Sequence, residues 1–253
     1  MSQILGKYIR RFDSLPSTNV YAQSLLGAQP EEGTLILADH QSQGKGQKGR
    51  VWEVAPSQNL TFSLITYPRF ISPTRMFILS KAVALAVRHT LADFLPHAEV
   101  QVKWPNDILI NHKKASGILI ENQLEGNQIK SSIWGIGVNV NQHYFPPHLQ
   151  HKATSLGLWT EKEISREEVL FKLIEYLNTH YHWLKSGKSE SLDHAYLRHL
   201  LGYQEDILVE IKGQQETCHL AGVDAHGRLA LVRNDKLSYF AVGEVSIIPD
   251  FFT

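Results

Sequence analysis

Hydrophobic and polar positions alternate over residues 4 to 13, the pattern of a half-buried strand, and Pro16 ends that run. Ser17 then stands at the N-cap position of a predicted helix. We therefore expect a strand-to-helix junction in which Ser17, Thr18 and Asn19 display hydroxyl and amide groups. The simplest role of Ser17 there is to cap the helix, which is worth roughly 1 kcal/mol.

Two β-rich runs follow, at residues 34 to 39 and 59 to 67. The polar, glycine-rich stretch between them is too long for a tight hairpin, and loops of that length are usually functional or mobile. Residues 75 to 95 carry apolar side chains at helical spacing and predict a helix that packs on one face of a sheet. The stripe consists of Met76, Leu79, Val83, Val87, Leu91 and Leu95.

Short strands separated by turns follow the helix and predict an antiparallel sheet. They cover residues 100 to 104, 108 to 110, 115 to 124 and 128 to 141. Ser165 and Glu168 form a capping-box pattern that opens a helix reaching about Lys185, and a second helix is predicted over residues 192 to 201.

The pattern changes after Gly202 to five short strand-like runs with turns between them, typical of a small β-barrel or sandwich. These runs lie at residues 207 to 212, 217 to 223, 228 to 232, 237 to 242 and 245 to 249. The fold class predicted is α+β. Residues 1–201 would form a domain with a mixed or antiparallel sheet and flanking helices, and residues 202–253 a small β domain.

The amino-acid composition indicates which partners and which compartment to expect. The chain has 253 residues, with 25 Lys and Arg against 25 Asp and Glu. The chain has no net positive charge to attract polyanions, so binding to DNA or to an anionic membrane is not expected. The single cysteine, Cys218, fits a reducing compartment. The N-terminus lacks the order of a signal peptide and the apolar runs are too short to span a bilayer, so the prediction is a cytoplasmic protein.

Thirteen histidines raise the question of a metal site, but they are scattered along the chain. His143, His148 and His151 lie in a Pro-containing loop without helical or strand spacing to bring them together. We therefore expect no metal site built from these side chains.

Gly44 to Gly49 matches the spacing G-x-G-x-x-G, which by itself suggests a dinucleotide-binding fold. That fingerprint requires a helix directly after the glycines, whereas here another strand follows. What remains is a loop with Lys45, Lys48 and Arg50 and enough glycine for the backbone to approach phosphates. A solvated basic loop without a ligand is the alternative.

Two further segments favour a phosphate-bearing ligand. Lys103 to Asp107 places a cation and a carboxylate around a rigid turn, and Lys113 to Gly117 follows within ten residues. Gly135 and Gly137 weaken a strand otherwise rich in β-branched residues, which a ligand close to that backbone would explain. These segments contain no Ser-His-Asp or Cys-His arrangement, so nucleotidyl transfer is favoured over hydrolysis.

Taken in order, these segments closely resemble the motifs of biotin-protein ligases, also called biotin-[acetyl-CoA-carboxylase] ligases. The matching segments are Ser17 to Asn19, Gln41 to Gly46 with Arg50 and Trp52, Lys103 to Asp107, Lys114 to Leu119 with Glu121, and Gly135 to Asn139. The resemblance extends to Gly243 to Ser246, which is similar to the end of the family's small domain. It implies a class II synthetase-like catalytic domain followed by an SH3-like β-barrel.

The resemblance also implies site residues. Lys114, Arg50 and Asp107 would be catalytic: Lys114 would bridge the biotin carboxylate and the α-phosphate, and Asp107 would lie near the acyl phosphate. The residues expected to bind biotin are Ser17, Thr18, Asn19, Gln41, Gly44, Lys45, Lys114 and Gly117. Those expected to bind the nucleotide are Lys45, Gln47, Arg50, Trp52, Asn106, Lys114 and Asn139.

The implied function is ATP-dependent conversion of biotin to biotinyl-5'-AMP with release of pyrophosphate, assisted by Mg²⁺ bound with ATP. Biotin would then pass to a lysine of a biotin carboxyl carrier protein, such as the acetyl-CoA carboxylase subunit. The alternatives are a lipoate- or octanoate-protein ligase, which shares the fold, and a non-catalytic biotin sensor. The family allows a homodimer as well as a monomer.

Two departures from the family pattern matter. The ligase segments begin almost at Met1, so we expect the short form without the DNA-binding domain of some relatives. Gln47 stands where many relatives have a second arginine. We therefore predict faster escape of the adenylate than in those relatives.

Overall fold

A computed structural model describes residues 3–160 and 162–249. The larger of its two sheets has seven strands in the order β1-β2-β3-β7-β6-β5-β4. The strands are β1 (Ile9–Leu15), β2 (Leu35–Gln41), β3 (Leu60–Thr66), β4 (Val100–Lys103), β5 (Asp107–Ile110), β6 (Lys113–Glu125) and β7 (Gln128–Val138). β1 pairs with β2 in parallel and the other neighbours are antiparallel, so of the mixed and antiparallel sheets expected, the sheet is mixed.

The helices are α1 (Thr18–Leu25), α2 (Phe77–Phe94), α3 (Arg166–Lys185) and α4 (Ser189–Arg198). The predicted capping box is present, since the Ser165 hydroxyl accepts a hydrogen bond from the Glu168 amide at 3.3 Å. The apolar stripe of α2 is buried except at Met76, which precedes the helix and is 40% exposed. None of the helices within the described ranges is long and apolar enough to cross a membrane.

The two faces of the large sheet differ because successive side chains of a strand point to opposite sides. On one face, Phe62, Leu64, Trp134 and Ile136 are buried in the main core, which includes α2 and α3. On the other face Ser63 pairs with Gly135, and Gly137 pairs with Gly117 in the adjacent strand. α1 lies on that second face, against β2, β3 and β7. We call this second side the glycine face.

A second sheet of five antiparallel strands follows, in the order β11-β10-β9-β8-β12. It consists of β8 (Asp206–Ile211), β9 (Gln214–Val223), β10 (Leu229–Arg233), β11 (Lys236–Phe240) and β12 (Val245–Ile247). It contacts the first part of the chain through a continuous core and through the Trp104 indole, which donates to the Gly227 carbonyl at 2.9 Å. The division at residues 201 and 202 stays a prediction.

Two element boundaries differ from the sequence-based expectation. The first strand begins at Ile9 rather than residue 4, because the amides of Ile4 and Leu5 donate to the Asn178 side chain instead of to a neighbouring strand. α4 begins at Ser189 and ends at Arg198, and the Leu201 amide donates to the Val102 carbonyl. The spacing of apolar residues continues past the helix because these positions pack on β4.

Candidate functional site

The N-terminus of α1 is held by a side chain from β2. The Thr18 backbone amide and hydroxyl both donate to Oε1 of Gln41, at 2.7 and 3.0 Å. Ser17 occupies the N-cap position, but its side chain makes no capping hydrogen bond, so the simple capping interpretation is wrong. Because Gln41 caps the helix instead, the hydroxyl of Ser17, a residue only 3% exposed, remains available.

Ser63 connects this helix end to the centre of the sheet, although the sequence analysis gave it no role. Its hydroxyl lies 2.7 Å from Oγ1 of Thr18 and 2.6 Å from Oδ1 of Asn19, and the residue is fully buried. In the sequence, the only sign of a role for Ser63 is that a polar residue interrupts the apolar run of β3. Its importance depends on contacts with Thr18 and Asn19, more than 40 positions away along the chain.

Asn19 extends from α1 over the glycine face to β6 and β7. Its Nδ2 donates to Oε2 of Glu121 at 2.7 Å and lies 3.4 Å from the Leu119 carbonyl oxygen. Its Oδ1 lies over Gly135, where a methyl group would approach that oxygen to 2.3 Å. The glycine is therefore required by the side chain of Asn19, and not only by a ligand as its position in the strand suggested.

The segment from Gly44 to Trp52 folds back on itself. The Gly46 amide donates to the Arg50 carbonyl at 2.7 Å, and the Trp52 amide donates to the Gly44 carbonyl at 2.9 Å. A short 3₁₀ turn, Gln47–Gly49, forms the tip, and β3 follows. As expected from the sequence, β3 rather than an α-helix follows the glycines, which excludes the dinucleotide-binding fingerprint.

This turn places Trp52 on the glycine face. A carbon added at Gly137 would lie 2.4 Å from the indole, and one at Gly117 would lie 3.0 Å from it. A side chain at Gly137 would overlap the ring, and one at Gly117 would crowd it. The indole Nε1 is buried and has no hydrogen-bond partner within the described ranges, so one donor at this position remains open.

Lys114 and Asp107 form an ion pair beside the indole. Nζ of Lys114 lies 2.7 Å from Oδ1 of Asp107 and 5.6 Å from the centre of the Trp52 ring. Oδ1 has no hydrogen bond of good geometry from any residue that the structure describes, so charge attraction holds the pair. The two side chains are 37% and 20% exposed, which leaves the ammonium accessible to an anion.

Three more cations belong to the loop, namely Lys45, Lys48 and Arg50, and all three are exposed. Their side chains form no hydrogen bond or ion pair with the part of the chain that the structure describes. Lys48 extends toward the second sheet, where a carbon added at Gly243 would lie 1.6 Å from its Nζ. The loop therefore supplies unpaired positive charge suited to phosphate oxygens, near the ion-paired Lys114.

Asn106 and Asn139, both expected at the nucleotide, use their amides within the fold. Nδ2 of Asn106 donates to the Ile118 carbonyl at 2.7 Å, and Nδ2 of Asn139 donates to the Thr154 carbonyl at 3.0 Å. These bonds fix the turn before β5 and the segment after β7. Their roles toward a nucleotide stay predictions, as does that of Gln47 at the loop tip.

Comparison with known proteins agrees with this geometry. Residues 11–139 match the model of the biotin/lipoate A/B protein ligase family. The bifunctional ligase/repressor BirA of Bacillus spizizenii is 37% identical over 172 residues, which are 67% of this chain. The chain spans about half of that relative's length, 52%. The biotin--[acetyl-CoA-carboxylase] ligase of Mycobacterium tuberculosis is 28% identical over 90% of this chain and 85% of its own.

Among solved structures, the biotin protein ligase from Aquifex aeolicus in complex with biotin and ATP is similar over both parts of the chain. It superposes with a TM-score of 0.80 at 26% identity, covering 96% of this chain and 99% of its own. The family match covers every predicted site segment from Ser17 to Asn139. The chain belongs to the biotin/lipoate A/B protein ligase family, as its motifs indicated.

Proposed function

We propose that this chain activates biotin with ATP to biotinyl-5'-AMP and transfers the biotin to a lysine of a biotin carboxyl carrier protein. The observation that carries the proposal is a buried set of polar groups with unused hydrogen-bonding capacity beside an accessible lysine. The polar groups belong to Ser17, Asn19 and Gln41. The lysine is Lys114.

The unused groups match a cyclic urea. Oε1 of Gln41 accepts two bonds from Thr18, so its Nε2 is left to donate. Ser17 offers a hydroxyl and Asn19 one lone pair on Oδ1. A urea has one carbonyl to accept and two N–H groups to donate. A dithiolane ring has neither, and each buried polar group left unpaired costs about 1 to 3 kcal/mol, which favours biotin over lipoate.

The first step joins two anions, so charge must be offset. A carboxylate oxygen of biotin attacks the α-phosphorus, a new P–O bond forms, and the bond to pyrophosphate breaks. In this proposal Lys114 holds both the carboxylate and the α-phosphate, with Arg50 and Lys45 on the remaining phosphate oxygens. Closure of the loop around Trp52 would keep water from the adenylate.

Magnesium would arrive with ATP. No three His, Cys, Asp or Glu side chains converge within residues 3–160 and 162–249. This fits an ion held mainly by substrate phosphates and water, with one or two carboxylates, which is the usual arrangement for Mg²⁺ at nucleotides. The ion would neutralise part of the charge on the phosphates, and the lysine and arginine side chains of the chain would neutralise the remainder.

In the second step the carrier lysine attacks the acyl carbon, an amide bond forms, and AMP leaves. The amine must lose a proton, and we propose that Asp107 accepts it or orients the amine through a hydrogen bond. Asp107 is paired with Lys114 before substrates bind, so it becomes free for this role when Lys114 turns to the adenylate.

The names of similar proteins support the substrates and the acceptor. The Aquifex structure contains biotin and ATP, and the Mycobacterium relative is named for acetyl-CoA carboxylase. We place the reaction in the cytoplasm, in keeping with the free thiol of Cys218. A homodimer remains part of the proposal because the outer half of β6, beyond its pairing with β5, has a free edge among the described strands.

The test uses the full chain with biotin, Mg-ATP and a biotin carrier domain. Pyrophosphate release and the mass of the carrier are followed, with lipoate in place of biotin and a Lys114→Ala variant as controls. The proposal predicts a biotin-dependent mass gain that the variant loses. Modification by lipoate alone would assign the chain to the sister activity, and tight biotin binding without turnover would make it a sensor.

A further inference from the structure

Asn19 can present either an acceptor or a donor to a bound ligand, and its neighbours decide which. An asparagine amide carries an oxygen at one end and an NH₂ group at the other, and the two ends have nearly the same shape. The end directed toward β6 contacts Oε2 of Glu121 at 2.7 Å and the Leu119 carbonyl oxygen at 3.4 Å. An ionised carboxylate and a carbonyl can only accept hydrogen bonds. The NH₂ group must therefore face β6.

The oxygen is then directed at the opposite side, over Gly135 and beside Ser63. Ser63 has one proton, which it shares between Oδ1 of Asn19 and Oγ1 of Thr18. The Thr18 proton goes to Oε1 of Gln41, so the chain of donors runs in one direction. One lone pair of Asn19 Oδ1 is left for a further donor.

We propose that Glu121 is a positioning residue that sets the polarity of Asn19, so that Asn19 accepts an N–H of the cyclic urea. The inference rests on the proposed function and adds to it a residue that need not touch biotin. In the reversed orientation Oδ1 would face Oε2 of Glu121, two acceptors without a proton between them, and Nδ2 would face the urea N–H. Glu121 excludes that arrangement.

The inference predicts that biotin binding survives when the amide and the carboxylate are exchanged between positions 19 and 121. In Asn19→Asp two carboxylates face each other, and biotin binding weakens about tenfold to a hundredfold. In the double variant Asn19→Asp/Glu121→Gln, the glutamine NH₂ donates to one oxygen of Asp, and the other oxygen again accepts from Ser63 and biotin. Its affinity for biotin returns to within about threefold of wild type. Glu121→Gln alone permits both orientations of the Asn19 amide and lowers the affinity for biotin about threefold.

Biotin affinity is measured by isothermal titration calorimetry on the full chain without ATP, and KM and kcat are measured with ATP. A positioning role raises KM for biotin and leaves kcat at saturating biotin within about twofold. Glu125→Gln is the matched control, because Glu125 lies on the same strand and pairs with exposed Lys130 at the hairpin tip. It should bind biotin as wild type does.

Melting curves separate loss of fold from loss of binding. If Asn19→Asp does not fold, Glu121→Gln is compared in the wild-type and Asn19→Ala backgrounds. It should lower the affinity for biotin about threefold in the wild-type background and leave it unchanged in the Asn19→Ala background. The inference is overturned if the double variant binds no better than Asn19→Asp, or if Glu121→Gln has the same effect in both backgrounds. Failure of the wild-type chain to bind biotin would instead overturn the proposed function.

Discussion

The ammonium of Lys114 lies 2.7 Å from a carboxylate oxygen of Asp107, beside the ring of Trp52. The pair joins one residue proposed for the first chemical step to one proposed for the second. Before substrates bind, each neutralises the other. In the proposed mechanism an anionic substrate draws Lys114 away, and Asp107 is then available to the incoming amine.

Lys114→Gln should lower the rate of biotin-dependent pyrophosphate release by about 10² to 10³, because a charge aimed at the reacting phosphate is lost. Quenched-flow measurement of adenylate formation checks this. Lys113→Gln is the matched control, since its exposed side chain precedes Lys114 on the same strand. Equal rates for Lys114→Gln and wild type would remove Lys114 from the mechanism.

Asp107→Asn should separate the two steps. Adenylate forms at close to the normal rate, while transfer from preformed adenylate to the carrier slows by about 10² or more, the usual contribution of a positioned acid or base. The measurement mixes purified adenylate and variant with carrier and follows carrier mass over time. Normal transfer would show that Asp107 is not needed for it.

Gln47→Arg should retain the adenylate longer. A guanidinium at the loop tip would add a charge-assisted hydrogen bond, and we expect release to slow by several-fold to about tenfold. Lys48 does not supply that charge, because its ammonium is directed at Gly243. The rate is followed by dilution of the preloaded complex, with Lys48→Gln in parallel. Release from wild type that is equal to or slower than from Gln47→Arg would contradict this account.

Acid should destabilise the helical layer behind the sheet. His89 of α2 contacts the rings of His180 in α3 and His199 after α4, and Arg88 lies beside them. Burial first, and then the neighbouring His180, Arg88 and His199, lower the pKa of His89 from 6.5 to about 4. Burial and Arg88 do the same for the pKa of His199.

Because the unfolded chain binds these protons near pH 6.5 and the folded chain only near pH 4, stability is lost as pH falls through that window. Asp93 and Tyr176 also face the cluster, and Asp93 opposes the shift at His89. His89→Gln should therefore show a smaller fall in melting temperature between pH 7 and pH 4.5 than wild type. His97→Gln, with an exposed histidine, should follow wild type; identical curves for all three would exclude the cluster as the cause.

The residues of the candidate site could be predicted from the sequence because short motifs carry most of them. Ser17 to Asn19 do lie at a strand-to-helix junction, and the capping box at Ser165 and the strand after Gly49 are present as predicted. These features depend on neighbours a few residues apart, so local pattern suffices to find them.

The remaining features depend on contacts across the sheet, which no local pattern encodes. Asn19 and Glu121 are separated by 102 positions, and Ser63 meets Asn19 because α1 packs on β3. The glycines at 135 and 137 were recognised as unusual, but the side chains of Asn19 and Trp52 that require them come from distant segments. The parallel pairing of β1 with β2 likewise follows from tertiary packing.

The central claim is that this chain makes an acyl-adenylate from biotin. The most direct measurement is exchange of labelled pyrophosphate into ATP by the full chain with Mg²⁺, since exchange requires reversible adenylate formation and no carrier. We predict exchange that depends on biotin, does not occur with lipoate, and is lost in Lys114→Gln. Exchange with lipoate alone, or no exchange with biotin under conditions where biotin binds, would contradict the account.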